Sequence, residues 1–133
     1  MSGLDSKYHI LIVEDDKEIR EGVEIYLRNQ GYEVFQAANG KEGLQIIERE
    51  EIHLAIVDIM MPVMDGYQAL VGIRNLERER NIPKEKAAKV IMTTALNEEK
   101  NVKMAFELGC TVYSGKPIDQ ERFEQVLKKF GLI

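Results

Sequence analysis

Short apolar runs alternate five times with longer stretches whose apolar residues recur every three or four positions. The runs are "ILIV" (10–13), "VF" inside 32–37, "LAIV" (54–57), "VIM" (90–92) and "TVY" (111–113). A run of that length between polar turns reads as a strand, and the longer period as an amphipathic helix. The spacing therefore predicts strands over Tyr8–Val13, Tyr32–Ala37, Leu54–Val57, Lys89–Thr93 and Thr111–Gly115.

Helix ends are marked as clearly. Asp16, Asn39, Asn97 and Asp119 stand where N-caps belong, and Glu42 completes a capping-box pattern with Asn39. Gly31, Gly109 and Gly131 stand just past the last apolar position of their helices. The first helix is expected to turn Ile19, Val23, Tyr26 and Leu27 to one face. The third, 66 to 78, buries Leu70 and Ile73. The fourth carries Val102, Ala105 and Phe106, and the fifth Phe123, Val126, Leu127 and Phe130. The segment 77–86, "ERERNIPKEK", reads as a frayed helix end and a solvated loop broken by Pro83.

Strand–helix alternation at this spacing predicts an α/β fold: a doubly wound, parallel five-stranded sheet with helices on both faces, flavodoxin-like. The first, third and fourth strands are almost wholly apolar, as strands buried on both faces are. The second and fifth are mixed and fit the edges. With right-handed crossovers, the expected strand order is 2-1-3-4-5.

In such a sheet every strand ends on the same side. There the chain places Glu14, Asp15 and Asp16 after the first strand, Asp58 after the third, Thr93 and Thr94 after the fourth, and Lys116 after the fifth. The winding reverses between the first and third strands, where ligands bind in this fold class. Carboxylates crowded at one point repel, and a cation relieves that. An all-oxygen donor set selects Mg²⁺ or Mn²⁺ over zinc. An ammonium and a hydroxyl nearby suit phosphoryl oxygens, and a central carboxylate can act as the nucleophile. Taken singly, each residue has a plainer role as turn residue, helix cap or surface lysine. Four strand ends presenting this chemistry together do not.

Over about residues 8 to 130 the sequence resembles the receiver domain of two-component response regulators, most like the stand-alone chemotaxis type. The resemblance lies in "ILIVEDD", "IVDIMMPVMDG", "VIMTTA" and "YSGKP", in that order and spacing. It implies that Asp58 is the phosphoacceptor, loaded from a histidine kinase or phosphotransfer protein. Glu14 and Asp15 would hold Mg²⁺ with Asp58 and the backbone carbonyl of Met60. Thr94, which precedes the small Ala95, would be the switch hydroxyl, with Thr93 buried in the strand. Lys116 would contact the phosphoryl group, and Lys116–Pro117 would be cis. Tyr113 matches the aromatic switch position. A downstream protein would dock on the fourth helix, fifth strand and fifth helix, and the chain would be a monomer or a phosphorylation-dependent dimer. The implied molecule is a switch with slow self-dephosphorylation, not an enzyme. Met60 and Leu96 flank the site as bulky apolar residues and would hinder an attacking water.

Other readings fit less well. A haloacid-dehalogenase-type phosphatase needs an acid two residues after its nucleophile, where Met60 stands. A flavodoxin-like cofactor carrier needs a Ser/Thr/Gly phosphate loop, where this chain is acidic. A pseudo-receiver that is never phosphorylated, and a receiver carried in a larger regulator or hybrid kinase, remain alternatives. The final "GLI" reads as the tail of a stand-alone domain.

Composition adds boundaries. The chain has 133 residues, a net charge of −5 and one cysteine. That length suits one domain at 8–133 behind a disordered lead-in, 1–7. The charge and scattered cations argue against direct nucleic-acid binding. A lone cysteine, with no signal-peptide pattern and no apolar span, fits a reducing, cytoplasmic setting away from membranes.

Overall fold

The structure, a computed structural model, describes residues 8–59, 64–94, 99–115, 120–129 and 131. The elements run β1 (His9–Val13), α1 (Lys17–Asn29), β2 (Glu33–Ala37), α2 (Gly40–Arg49), β3 (Leu54–Asp58), α3 (Gly66–Glu79), β4 (Lys89–Thr94), α4 (Glu99–Glu107), β5 (Val112–Gly115) and α5 (Gln120–Lys129), with a 3₁₀ turn at Lys84–Lys86. All five strands are parallel in the order β2-β1-β3-β4-β5, as the apolar and mixed runs predict.

Side-chain alternation along each strand divides the core into two layers. Leu11, Val13, Ala55, Val57, Val90 and Met92 pack beneath α2, α3 and α4. Ile10, Ile12, Leu54, Ile56, Ile91 and Val112 pack beneath α1 and α5, against Leu27, Phe123, Val126 and Leu127. The central strands are buried on both faces, which is why their sequences are apolar without alternation.

The helix signals translate into specific bonds. Asp16 Oδ1 accepts the Ile19 amide at 3.1 Å and caps α1. Asn39 Oδ1 accepts the Glu42 amide, while Glu42 Oε1 reaches back to Ala38 N, one residue before the cap. Asp65 and Gln68 form a complete capping box at α3. Gly31 and Gly109 take φ of +93° and +105°, which a Cβ would oppose. The predicted caps Asn97 and Asp119, and Phe130, lie outside the described residues.

Three sequence expectations need correction. Ile19 is 42% exposed and Phe106 48% exposed, so both leave the core faces assigned to them. Helical period locates an apolar face but does not say how much of it the fold covers. The third concerns Glu77, which is buried rather than part of a frayed end. Its Oε1 accepts from Arg74 Nη1 at 2.8 Å and its Oε2 from Ala88 N at 2.8 Å. The helix continues through Glu79, and the chain closes with Asn81 at φ +54° and the 3₁₀ turn.

Candidate functional site

Two strand ends build the site. β1 runs out at Val13, and the Glu14 amide still bonds Ala37 O of β2 at 3.0 Å, so Glu14 continues the strand direction. β3 includes Asp58 as its last residue, paired in register with Thr93 of β4. The Ile59 amide then bonds Thr93 O at 3.0 Å and holds the strand end in place. Carboxylate oxygens of Glu14, Asp15 and Asp58 all lie within 4.8 Å of one another. Glu14 is 4% and Asp58 2% exposed, whereas Asp15 faces solvent. At that separation two unit charges repel by roughly 3–4 kcal/mol at an effective dielectric of about 20.

The surrounding backbone keeps these groups together. Asp16 N donates to Glu14 Oε2 at 3.1 Å. Arg20 Nη1 donates to the Glu14 carbonyl at 2.7 Å, and its Nε to Gln36 Oε1 at 2.9 Å. Arg20 thus ties α1 to the ends of β1 and β2. On the other flank, Gly66 N bonds Ile59 O at 2.9 Å. A Cβ on Gly66 would stand 2.5 Å from Asp58 O and 2.7 Å from Ile59 Cα, so only glycine lets α3 seat on this turn. The sequence places residue 66 at the start of the third helix but gives no sign of Arg20's role. The Asp65-x-x-Gln68 pattern announces the capping box, whereas nothing local announces a guanidinium reaching back six residues.

Thr93 and Thr94 are both buried. Thr93 Oγ1 donates to Val57 O at 3.5 Å. Strand alternation puts Thr94 on the face of Val90 and Met92, the face that Tyr113 also packs against. Tyr113 is half-buried, opposite Met92, one residue short of the Thr93–Ser114 pair. Cys110, at the other end of β5, is buried, and its Sγ donates to Val112 O. Met60, Leu96, Ala95, Lys116 and Pro117 lie outside the described residues. Among the described residues, no helix is long and apolar enough to cross a membrane.

A parallel sheet wound 2-1-3-4-5, with an all-carboxylate cluster at its switch point, defines the class: a doubly wound α/β domain with an acidic, cation-type pocket. The chain belongs to the response regulator receiver domain family, whose model matches residues 10–128. Among curated proteins, it is 39% identical to the transcriptional regulatory protein GltR of Pseudomonas aeruginosa over 108 residues, 81% of this chain and 42% of that protein. It spans about half the length of the curated relatives it matches. Among solved structures, it superposes with a TM-score of 0.77 on the receiver domain of the sensor histidine kinase PA1611 of Pseudomonas aeruginosa, 28% identical, covering 93% of this chain and 97% of that one. That structure has magnesium coordinated in its active-site cleft. The receiver of the Saccharomyces cerevisiae response regulator Ssk1 gives 0.86 at 25% identity, covering 95% and 90%; it was solved with the phosphotransfer protein Ypd1.

Proposed function

We propose that this receiver is a phosphoryl-accepting switch in which Asp58 takes a phosphoryl group from the phosphohistidine of a histidine kinase or phosphotransfer protein. The observation that carries this reading is the meeting of the Glu14, Asp15 and Asp58 carboxylates at the switch point of the sheet. Three hard oxygen donors of one charge suit Mg²⁺ or Mn²⁺, which would be held by them and by the Met60 carbonyl. Such an ion neutralises charge on the entering phosphoryl oxygens.

The chain's own residues then do the following. An Asp58 carboxylate oxygen attacks phosphorus in line. The P–N bond to the donor histidine breaks, its electron pair returns to the imidazole nitrogen, and an O–P bond forms. Lys116 and the Thr94 hydroxyl would hold the phosphoryl oxygens. Thr94 moving inward would let Tyr113 follow, since both lie on one sheet face; the bias falls on α4, β5 and α5. Exposed Met104 and Phe106 on α4 supply apolar surface for a downstream protein there. The reading makes the chain a switch with slow self-hydrolysis, not a metabolic enzyme, with Met60 and Leu96 slowing that hydrolysis. It holds equally for a receiver standing alone and for one carried in a longer regulator.

The test is incubation with phosphoramidate and Mg²⁺, read by intact mass. One added phosphoryl group is expected, absent in Asp58→Asn and after chelation. No adduct on the wild-type chain, or an undiminished one on Asp58→Asn, would leave a pseudo-receiver as the better account.

A further inference from the structure

Glu14 and Asp15 bring two of the three clustered carboxylates, and a single peptide joins them. A peptide is close to planar, so its tilt sets the directions in which both side chains leave the chain. The Glu14 carbonyl, which belongs to that peptide, accepts from Arg20 Nη1 at 2.7 Å. The Glu14 amide bonds Ala37 O of β2 at 3.0 Å, so Glu14 is held at both of its backbone polar groups. Arg20 is half-buried on α1, and its Nε donates to Gln36 Oε1 of β2 at 2.9 Å. Its backbone amide bonds Asp16 O at 2.9 Å and closes the first turn of the helix that Asp16 caps. The two side-chain bonds of Arg20 go to neutral oxygens, so they align the guanidinium and discharge no carboxylate.

We propose that Arg20 is a positioning residue for the divalent cation: its guanidinium, braced by Gln36, holds the Glu14–Asp15 peptide at the tilt that keeps both carboxylates with that of Asp58. The proposal rests on the reading of Glu14, Asp15 and Asp58 as a Mg²⁺ site. The sign of the effect separates this role from a plainly electrostatic one. A positive charge beside an acidic cluster opposes Mg²⁺, so on charge grounds alone its removal tightens binding. Removal of a group that orients the ligands loosens binding, by about tenfold or more in metal sites.

The experiment titrates Mg²⁺ into the full chain by isothermal calorimetry, with the amide shifts of Glu14, Asp15 and Asp58 followed by NMR. The fold of each variant is checked separately by thermal unfolding without the ion. Arg20→Met keeps the length of the side chain and loses the donors; it is expected to weaken Mg²⁺ binding by about tenfold. Gln36→Ala leaves the guanidinium its bond to Glu14 and is expected to weaken binding by about threefold. Arg20→Met/Gln36→Ala is expected to match Arg20→Met alone, because Gln36 acts through the guanidinium; two separate structural losses would add instead. Unchanged or tighter binding by Arg20→Met overturns the proposal and leaves the cation reading standing. Additive losses in the double variant overturn the bracing by Gln36. If Arg20→Met does not fold, Gln36→Ala decides: weaker binding supports the proposal, and unchanged binding overturns it. Absence of Mg²⁺ binding by the wild-type chain, or binding undiminished in Asp58→Asn, overturns the reading of the cluster and the proposal with it.

Discussion

The two rims of this sheet handle charge in opposite ways. At the N-terminal rim, opposite charges are paired and tied to backbone. Arg74 donates to Gly109 O through Nε and Nη2 at 3.0 and 2.8 Å, and through Nη1 to Ala88 O and Glu77 Oε1, both at 2.8 Å. Glu77 accepts the Ala88 amide in turn. His9 and His53 stand beside Glu33 and Glu51, at 3.2 and 3.3 Å. At the C-terminal rim, three carboxylates of one sign are gathered within 4.8 Å. The first arrangement locks α3, β4 and the α4–β5 turn together. The second gathers carboxylate oxygens of like charge, a donor set that a cation can bridge. A tied rim at one end of the strands and a like-charged cluster at the other let a binding event act on a defined scaffold.

The strongest way to break that contrast is to remove a carboxylate from each rim. Glu77→Ala leaves the Ala88 amide without its acceptor and Arg74 without its counter-charge. Chemical denaturation is expected to show a loss of roughly 2–4 kcal/mol. A loss below about 1 kcal/mol would mean that the network is ornamental. Adding Mg²⁺ probes the other rim. At about ten times its dissociation constant, it is expected to stabilise the wild-type chain by roughly 1.4 kcal/mol. Asp15→Asn and Asp58→Asn should reduce or abolish that gain, and Glu77→Gln should keep it. Asp15→Asn in the presence of chelator sharpens the comparison. It removes one of three like charges from an exposed position, so stability should rise, by less than about 1 kcal/mol. The same substitution in saturating Mg²⁺ should be neutral or harmful, and a fall in stability in chelator would contradict the picture of repulsion.

The two rims were not equally legible in the sequence. The acidic rim could be read because strand ends are countable. Once five parallel strands are predicted, Glu14, Asp15 and Asp58 must fall on one side, and the 2-1-3 order makes them neighbours. The paired rim was hidden. Glu77 lies in the run "ERERNIPKEK", where local composition indicates solvent. What buries it is Arg74 one turn earlier and the Ala88 amide eleven residues on, a partnership set by tertiary placement. Ile19 and Phe106 failed for a related reason: helical period locates an apolar face but not how much of that face tertiary packing covers. Gly66 was legible as the start of the third helix, whereas its close approach to the Asp58 carbonyl depends on how α3 lands.

The smallest expected effect also belongs to the paired rim. Burial pushes the Cys110 thiol from its usual value of 9.0 up to about 11, with backbone hydrogen bonds at Met92 and Val112 and the Arg74 charge opposing the rise. The folded chain therefore keeps this proton between pH 9 and 11, while the unfolded chain has released it. The unfolded state binds fewer protons in that window, so stability falls as pH rises through it; below pH 9 the contribution is fully present. Other groups titrate there too, including tyrosines, so the measurable quantity is a difference. The stability advantage of wild type over Cys110→Ala is expected to be constant up to about pH 9 and to shrink toward pH 11. In the same picture, a thiol reagent at pH 8 should label Cys110 only as fast as the fold opens, and Glu77→Ala should speed labelling by loosening the Gly109 turn beside it. Rapid labelling of the wild-type chain would show that the N-terminal rim is looser than its bonds imply, and the contrast between the rims would then fail where it starts.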